Sequence, residues 1–233
     1  MAVGVCAHTT PVVIARRTRN FIGIITVPCS LPQTCDVDVW LLTLGSDTAT
    51  GPGNEAYGLL SPDEKLRAAR FRFEADRARW VRARSALRTI LADCTAIPAA
   101  DLQFILGRHG KPGLAGGSYI EFSLSHAGNW AMVAVTRSVP VGIDIERIRD
   151  NVDIAALLRR VGVTDLPEDR TSLFRAWNRR EAMTKAVGGA LLDQPTGSFG
   201  LCDLDVPEGY SAALALLGHT PRVRYRSTTV LPG

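Results

Sequence analysis

The stretch that most constrains this chain is VGIDIERIR, residues 141–149. Read as a strand, its Val141, Ile143 and Ile145 alternate with Gly142, Asp144 and Glu146, so two carboxylates share one face two positions apart. Like charges side by side on a half-buried strand repel each other and lose hydration, which is unfavourable unless water, a cation or a basic partner compensates. A fold containing this strand therefore buries one face and brings water, a cation or a basic partner to the other. Arg147 and Arg149 are the nearest basic residues in sequence.

The rest of the chain can supply a core. Its 233 residues, 46% hydrophobic and 21% charged, suit an ordinary globular protein of one large domain or two lobes of roughly 100 residues each. No apolar run approaches the roughly 20 residues that would span a bilayer. The cysteines (Cys6, Cys29, Cys35, Cys94 and Cys202) are scattered and form no C-x-x-C pair, which argues against a disulfide framework or a zinc site and for a reducing, cytoplasmic setting. The net charge of +4 is unevenly spread: nine Lys or Arg lie between Lys65 and Arg88, against only Glu74 and Asp76. Such a stretch suits an anionic partner (phosphate, nucleic acid or an acidic protein) or simply a solvated helix face. Residues 1–35 carry Pro11, Pro28, Pro32 and an apolar FIGIITV run too far along for a usual signal peptide; they read as an extension with no assigned role.

From residue 36 the order of elements is legible. DVDVWLLTL reads as a strand, followed by a loop through Gly51 and Gly53. Ser61, Pro62 and Glu64 have capping-box spacing at the start of a helix. Trp80, Leu87, Ile90 and Leu91 then recur at helical intervals, which leaves the arginines for the other face; one helix, or two broken near Phe73, satisfies the pattern. SYIEFSLSHAGNWAMVAVTRS reads as two strands joined through Ala127, Gly128 and Asn129. A boundary near Ser138 divides the chain into lobes 36–138 and 139–233. The second lobe holds the acidic strand, helices near 154–161 and 171–187, and strands to the end.

FRAWNRREAMTKAVGGAL supplies a partner for the acidic strand. Trp177, Glu181 and Lys185 are spaced i, i+4, i+8 and form one helical stripe. Alone, Glu181 with Lys185 is an ordinary exposed pair worth a few tenths of a kcal/mol. Together with Asp144 and Glu146, Glu181 makes three oxygen donors on rigid elements, a set suited to octahedral Mg²⁺ that keeps waters and a substrate phosphate in its other positions.

GKP, SLSH, VGIDIE and WNRREAMTK, in that order, resemble the 4′-phosphopantetheinyl transferases of the large two-lobed (Sfp-type) family, over residues 38–228. The resemblance implies an α+β fold of two similar pseudo-twofold lobes with coenzyme A between them. It implies Mg²⁺-dependent transfer of the 4′-phosphopantetheine arm from coenzyme A to a serine of an apo acyl or peptidyl carrier protein, releasing 3′,5′-ADP. Carried over by motif, Asp144, Glu146 and Glu181 would be metal ligands, and Lys185 would neutralise the pyrophosphate. Arg79, Lys111, Ser125 and His126 would contact coenzyme A, with Arg67 as a further candidate; His126 alone could equally be a hairpin-turn residue. Asp165 and Glu168 are the nearest candidates for the general base. Such an enzyme is expected to be a cytoplasmic monomer that binds neither membrane nor nucleic acid. Two departures stand out: Ala127 replaces a usual serine, and Arg180 replaces a usual lysine and cannot be deprotonated. The rival readings are a basic nucleic-acid-binding module on residues 65–88, which lacks a recognised motif, and another Mg²⁺-dependent phosphotransferase, which would not predict the Ser-His turn.

Overall fold

The computed structural model describes residues 33–45, 54–190 and 192–227. Residues 1–32 of the expected extension and the loop glycines Gly51 and Gly53 lie outside them, and Gln33, Thr34 and Cys35 open the first strand. The elements are β1 (Gln33–Thr43), α1 (Asn54–Gly58), α2 (Pro62–Ala68), α3 (Glu74–Thr95), β2 (Phe104–Leu106), β3 (Pro112–Leu114), β4 (Ile120–Ala127), β5 (Trp130–Arg137), β6 (Val141–Arg147), α4 (Ile154–Arg160), α5 (Arg170–Val187), β7 (Phe199–Asp203), β8 (Tyr210–Leu217) and β9 (His219–Arg226). This is a mixed α+β fold, as expected.

The strands form two principal sheets, ordered β4-β5-β1-β9 and β6-β8-β7, beside the small β2-β3 hairpin. The inner faces of the two principal sheets share one apolar core, with Val37, Val39, Met132 and Ala134 from the first meeting Val141, Ile143, Ile145, Leu214 and Leu216 from the second. Helix α3 covers the outer face of the first sheet through Leu87, Ile90 and Leu91, while α5 covers β6 and β8. The step from β5 to β6 at Ser138 passes from one sheet to the other. Strand β9 then returns to the first sheet, parallel to β1, where Arg222 and Arg224 meet Asp36 and Asp38 across the register.

Edge strands leave backbone groups unpaired. The two sheets meet at such edges, β4 against β6, and the seam is made by side chains: the Ile143 and Ile145 amides donate to the hydroxyls of Ser123 and Ser125 at 3.1 and 3.4 Å. This gives the alternate serines of SLSH a physical purpose.

Strand β6 is buried on both faces from Val141 to Ile145, more deeply than a half-buried strand. The second cover is α5, and Gly142 is the reason it can come so close. A Cβ there would overlap the backbone carbonyl of Ala182 and crowd the Ala186 amide. Ala182, Ala186 and Ala215 complete a contact of small residues.

The basic segment breaks into α2 and α3 with Phe73 at the junction, and Ser61 with Glu64 forms the capping box. One expectation fails here: the arginines of α3 do not all face solvent. Arg88 is only 1% exposed, because Glu64 accepts from its Nε at 2.7 Å and also from Arg84 Nε, while Arg88 Nη1 donates to the carbonyls of Ala99 and Leu102. Burial would raise the Glu64 carboxyl, but the Ser61 amide and the two guanidiniums outweigh it and hold the carboxyl below its ordinary value of 4.5. Removing one partner of a buried pair strands the other, so Glu64→Ala should cost roughly 3–5 kcal/mol at pH 7. With the folded value depressed, this stabilisation is complete above pH 4.5 and drains away as the pH falls through the folded value. Urea unfolding of wild type and variant should therefore differ most at neutral pH and converge in acid; a gap independent of pH would exclude the ion pair as its cause.

Candidate active site

Because α5 lies directly on β6, the stripe predicted on the helix meets the acidic strand. Asp144 is 3% exposed and accepts at every side: Lys185 Nζ at 2.7 Å and Ser125 Oγ at 2.9 Å reach Oδ1, and Asn178 Nδ2 at 2.7 Å reaches Oδ2. Lys185 Nζ also donates to Ser125 Oγ at 3.0 Å. The positive partner that the acidic strand requires is therefore Lys185, 41 positions away, together with the Arg149 guanidinium 3.7 Å from Glu146.

Lys185 does not satisfy all the acid. Burial, and then the charge of Asp144, push the Glu146 carboxyl up to about 7. The same two causes raise Glu181, whose buried Oε1 has no hydrogen-bond partner among the described residues. Three carboxyl groups thus crowd one corner with less positive charge than they need. Among the described residues, no group of three or more His, Cys, Asp or Glu side chains is gathered into an arrangement that could hold a metal ion.

Beside this corner opens a cleft of about 800 Å³, a volume suited to a small-molecule ligand. Arg67, Arg84, Lys111, His126 and Lys185 line it, with Gly188 and Gly189 after the end of α5 and Phe104 on the first-sheet side. Arg67 stacks on Trp80 at 5.4 Å, and Arg84 lies over Phe104 at 4.1 Å. Burial in the cleft, then the charges of Lys185, Arg67 and Arg79, hold the His126 imidazole below its usual value. The Lys111 ammonium bridges the two sides, donating to Val141 O at 3.1 Å and Ala186 O at 3.2 Å, and burial lowers its pKa.

Not every candidate gathers here. Ser125 is buried against Asp144 and lines no part of the cleft. Arg79 pairs with Asp76 at 2.7 Å and reaches the site through its field on His126. Asp165 and Glu168 are exposed on the α4–α5 loop and are not among the cleft residues. Sequence reasoning missed Asn178, Arg84 and the Gly188–Gly189 pair. Asn178 directly follows Trp177 on the buried side of α5, and Arg84 with Arg88 repeats at i, i+4 on the apolar side of α3; both patterns were there to be read.

A lysine held by a buried carboxylate, in the wall of a cleft lined with further cations, suits an anionic ligand. Comparison with known proteins gives the class of the protein. A family model described as 4′-phosphopantetheinyl transferase, N-terminal, matches residues 54–138. The 4′-phosphopantetheinyl transferase HetI of Nostoc sp. is 31% identical over 169 residues, covering 67% of this chain and 70% of the relative. A 4′-phosphopantetheinyl transferase of Bacillus subtilis is 27% identical over 176 residues (70% and 78%), and Sfp of the same species is 25% identical over 173 (68% and 76%). The chain belongs to the 4′-phosphopantetheinyl transferase family and is an enzyme of that class. No helix among the described residues is long and apolar enough to cross a membrane.

Proposed function

We propose that this enzyme transfers the 4′-phosphopantetheine arm of coenzyme A to a serine hydroxyl of an apo acyl or peptidyl carrier protein, releasing 3′,5′-ADP. The observation that carries this reading is the bond of Lys185 to Asp144, which places that ammonium in the wall of a cleft also lined by Arg67, Arg84, Lys111 and His126. Coenzyme A is polyanionic, and both the fork geometry of arginine and the point charge of lysine suit its phosphates. Arg67 and His126, with Arg79 behind them, are assigned to the nucleotide end, and Lys111 to the opposite wall. Ser125 is assigned to holding Asp144 together with Asn178, without reaching the substrate itself.

As they stand the three carboxyl groups are not gathered into a metal-holding arrangement, but the unpartnered buried oxygen of Glu181 and the raised carboxyl of Glu146 leave this corner short of positive charge that a hard divalent cation would supply. Asp144, Glu146 and Glu181 would hold Mg²⁺, which supplies charge neutralisation at the pyrophosphate when bound. In the transfer, the acceptor serine oxygen bonds to the phosphorus that carries the pantetheine arm, and the bond from that phosphorus to the departing 3′,5′-ADP breaks. Lys185, beside Asp144, stabilises the negative charge that grows on the leaving group. The exposed positions of Asp165 and Glu168 favour a carboxylate of the cluster itself as acceptor of the serine proton.

The internal use of the basic segment supports this reading over a nucleic-acid module: Arg77 and Arg79 pair with Glu74 and Asp76, Arg82 donates to Leu44 O, and Arg84 and Arg88 serve Glu64. The deciding assay incubates the protein with coenzyme A, Mg²⁺ and a panel of apo carrier proteins and reads intact mass. The expected result is a phosphopantetheine adduct on a carrier serine. No adduct on any carrier, with duplex DNA bound at physiological salt, would overturn the proposal.

A further inference from the structure

Arg180 immediately precedes Glu181 but serves a different structure. It is 4% exposed, and its guanidinium donates to two neutral acceptors, the Thr184 hydroxyl one turn along α5 and the backbone carbonyl of Asp193. Burying a guanidinium is costly, and the bond to Asp193 ties the helix to the segment that follows it. The described residues of that segment are bonded to the helix and to one another. Gly188, in the left-handed region at φ 62°, ends α5; the Gly189 amide donates to Thr184 O at 3.0 Å; the Ala190 amide donates to Asp193 Oδ2 at 2.8 Å, and the Asp193 amide to Ala190 O at 3.0 Å.

Gly188 and Gly189 line the cleft, and the facing wall lies close by. Asp193 Oδ2 is 3.9 Å from His109 Nε2, and a Cβ on Gly188 would stand 3.7 Å from Lys111 Cδ. Arg180 therefore holds to α5 the residue that faces His109, through the Asp193 carbonyl. Lys185, in contrast, is held independently by Asp144 and Ser125.

We propose that Arg180 is a positioning residue for coenzyme A: by tying Asp193, and through it Ala190, to α5 it supports the Gly188–Gly189 backbone as a wall of the binding cleft, and so governs substrate affinity rather than the chemical step. This rests on the cleft being the coenzyme A site. It also accounts for an arginine where a lysine is usual, since its work here is to reach two acceptors with a fixed fork, with no proton to shuttle.

The test measures coenzyme A binding by calorimetry and steady-state kinetics for wild type, Arg180→Gln, Arg180→Lys and Asp193→Ala. Loss of a charge-assisted bond to the Asp193 carbonyl should raise Kd and KM for coenzyme A about tenfold in Arg180→Gln, with kcat within about twofold of wild type. Arg180→Lys should recover part of the affinity. Asp193→Ala, which keeps the carbonyl but removes the Ala190 and His109 contacts, should weaken binding in the same direction. A lower kcat at unchanged KM, or wild-type affinity in a folded Arg180→Gln, would overturn the inference; if Arg180→Gln does not fold, unchanged affinity in Asp193→Ala overturns it instead. Wild-type protein that fails to bind coenzyme A overturns the assignment of the cleft.

Discussion

Lys185→Met should bind coenzyme A nearly as well as wild type and transfer the arm about 10²-fold more slowly or worse. Methionine is close to lysine in length, so the cleft keeps its shape while the ammonium 2.7 Å from Asp144 is lost. An electrostatic contact aimed at charge that grows in the transition state acts on kcat more than on ground-state affinity, and losing one such preorganised contact costs about 10²–10³-fold. Single-turnover transfer to an apo carrier, followed by intact mass, separates the two quantities. A variant as fast as wild type would remove Lys185 from the chemistry. A variant that lost affinity and rate in equal proportion would place it in ground-state binding instead.

Gly142→Ala should damage both stability and activity, although it adds a single methyl group to a residue that touches no substrate. The new Cβ would overlap the carbonyl of Ala182, so α5 must move away from β6. Overpacking of this kind typically costs about 1–3 kcal/mol, and a rigid helix backbone has less room to yield than a side chain. The functional cost follows from geometry: Lys185 and Asn178 reach Asp144 only while the helix stays in contact, and displacements near 1 Å can cost about 10²-fold in rate. Thermal unfolding and transfer assays on the same preparation should show a lower Tm with strongly reduced kcat. A variant with full activity would mean that the close approach of α5 is not needed to assemble the site.

Much of the site could be read from the chain because its parts are locally periodic. The alternation in VGIDIE put Asp144 and Glu146 on one face, and the i, i+4, i+8 stripe put Glu181 and Lys185 one turn apart. The capping box at Ser61 and Glu64 was equally readable, since it depends on four consecutive residues. Arg88 was misjudged for the opposite reason. Its place on the apolar side of α3 is a local fact, but its burial depends on Glu64, 24 positions away, and on the carbonyls of Ala99 and Leu102. Ser125 shows the same limit: its motif marks it as important, while its contact with Asp144 gives it a supporting place behind the cleft wall.

By itself the sequence determined the elements and the problem they pose: a strand with more negative charge than it can carry alone, a helix bearing a lysine, and a segment rich in arginine. Periodicity is a property of a few neighbouring residues and survives without knowledge of the fold. The tertiary structure decided who answers that charge. Asp36 meets Arg222 across 186 positions, Asp144 meets Lys185 across 41, and the Arg180 guanidinium donates to the carbonyl of Asp193, 13 positions on. Those choices depend on how closely two backbones can approach, which at β6 and α5 is set by the absence of one Cβ at Gly142.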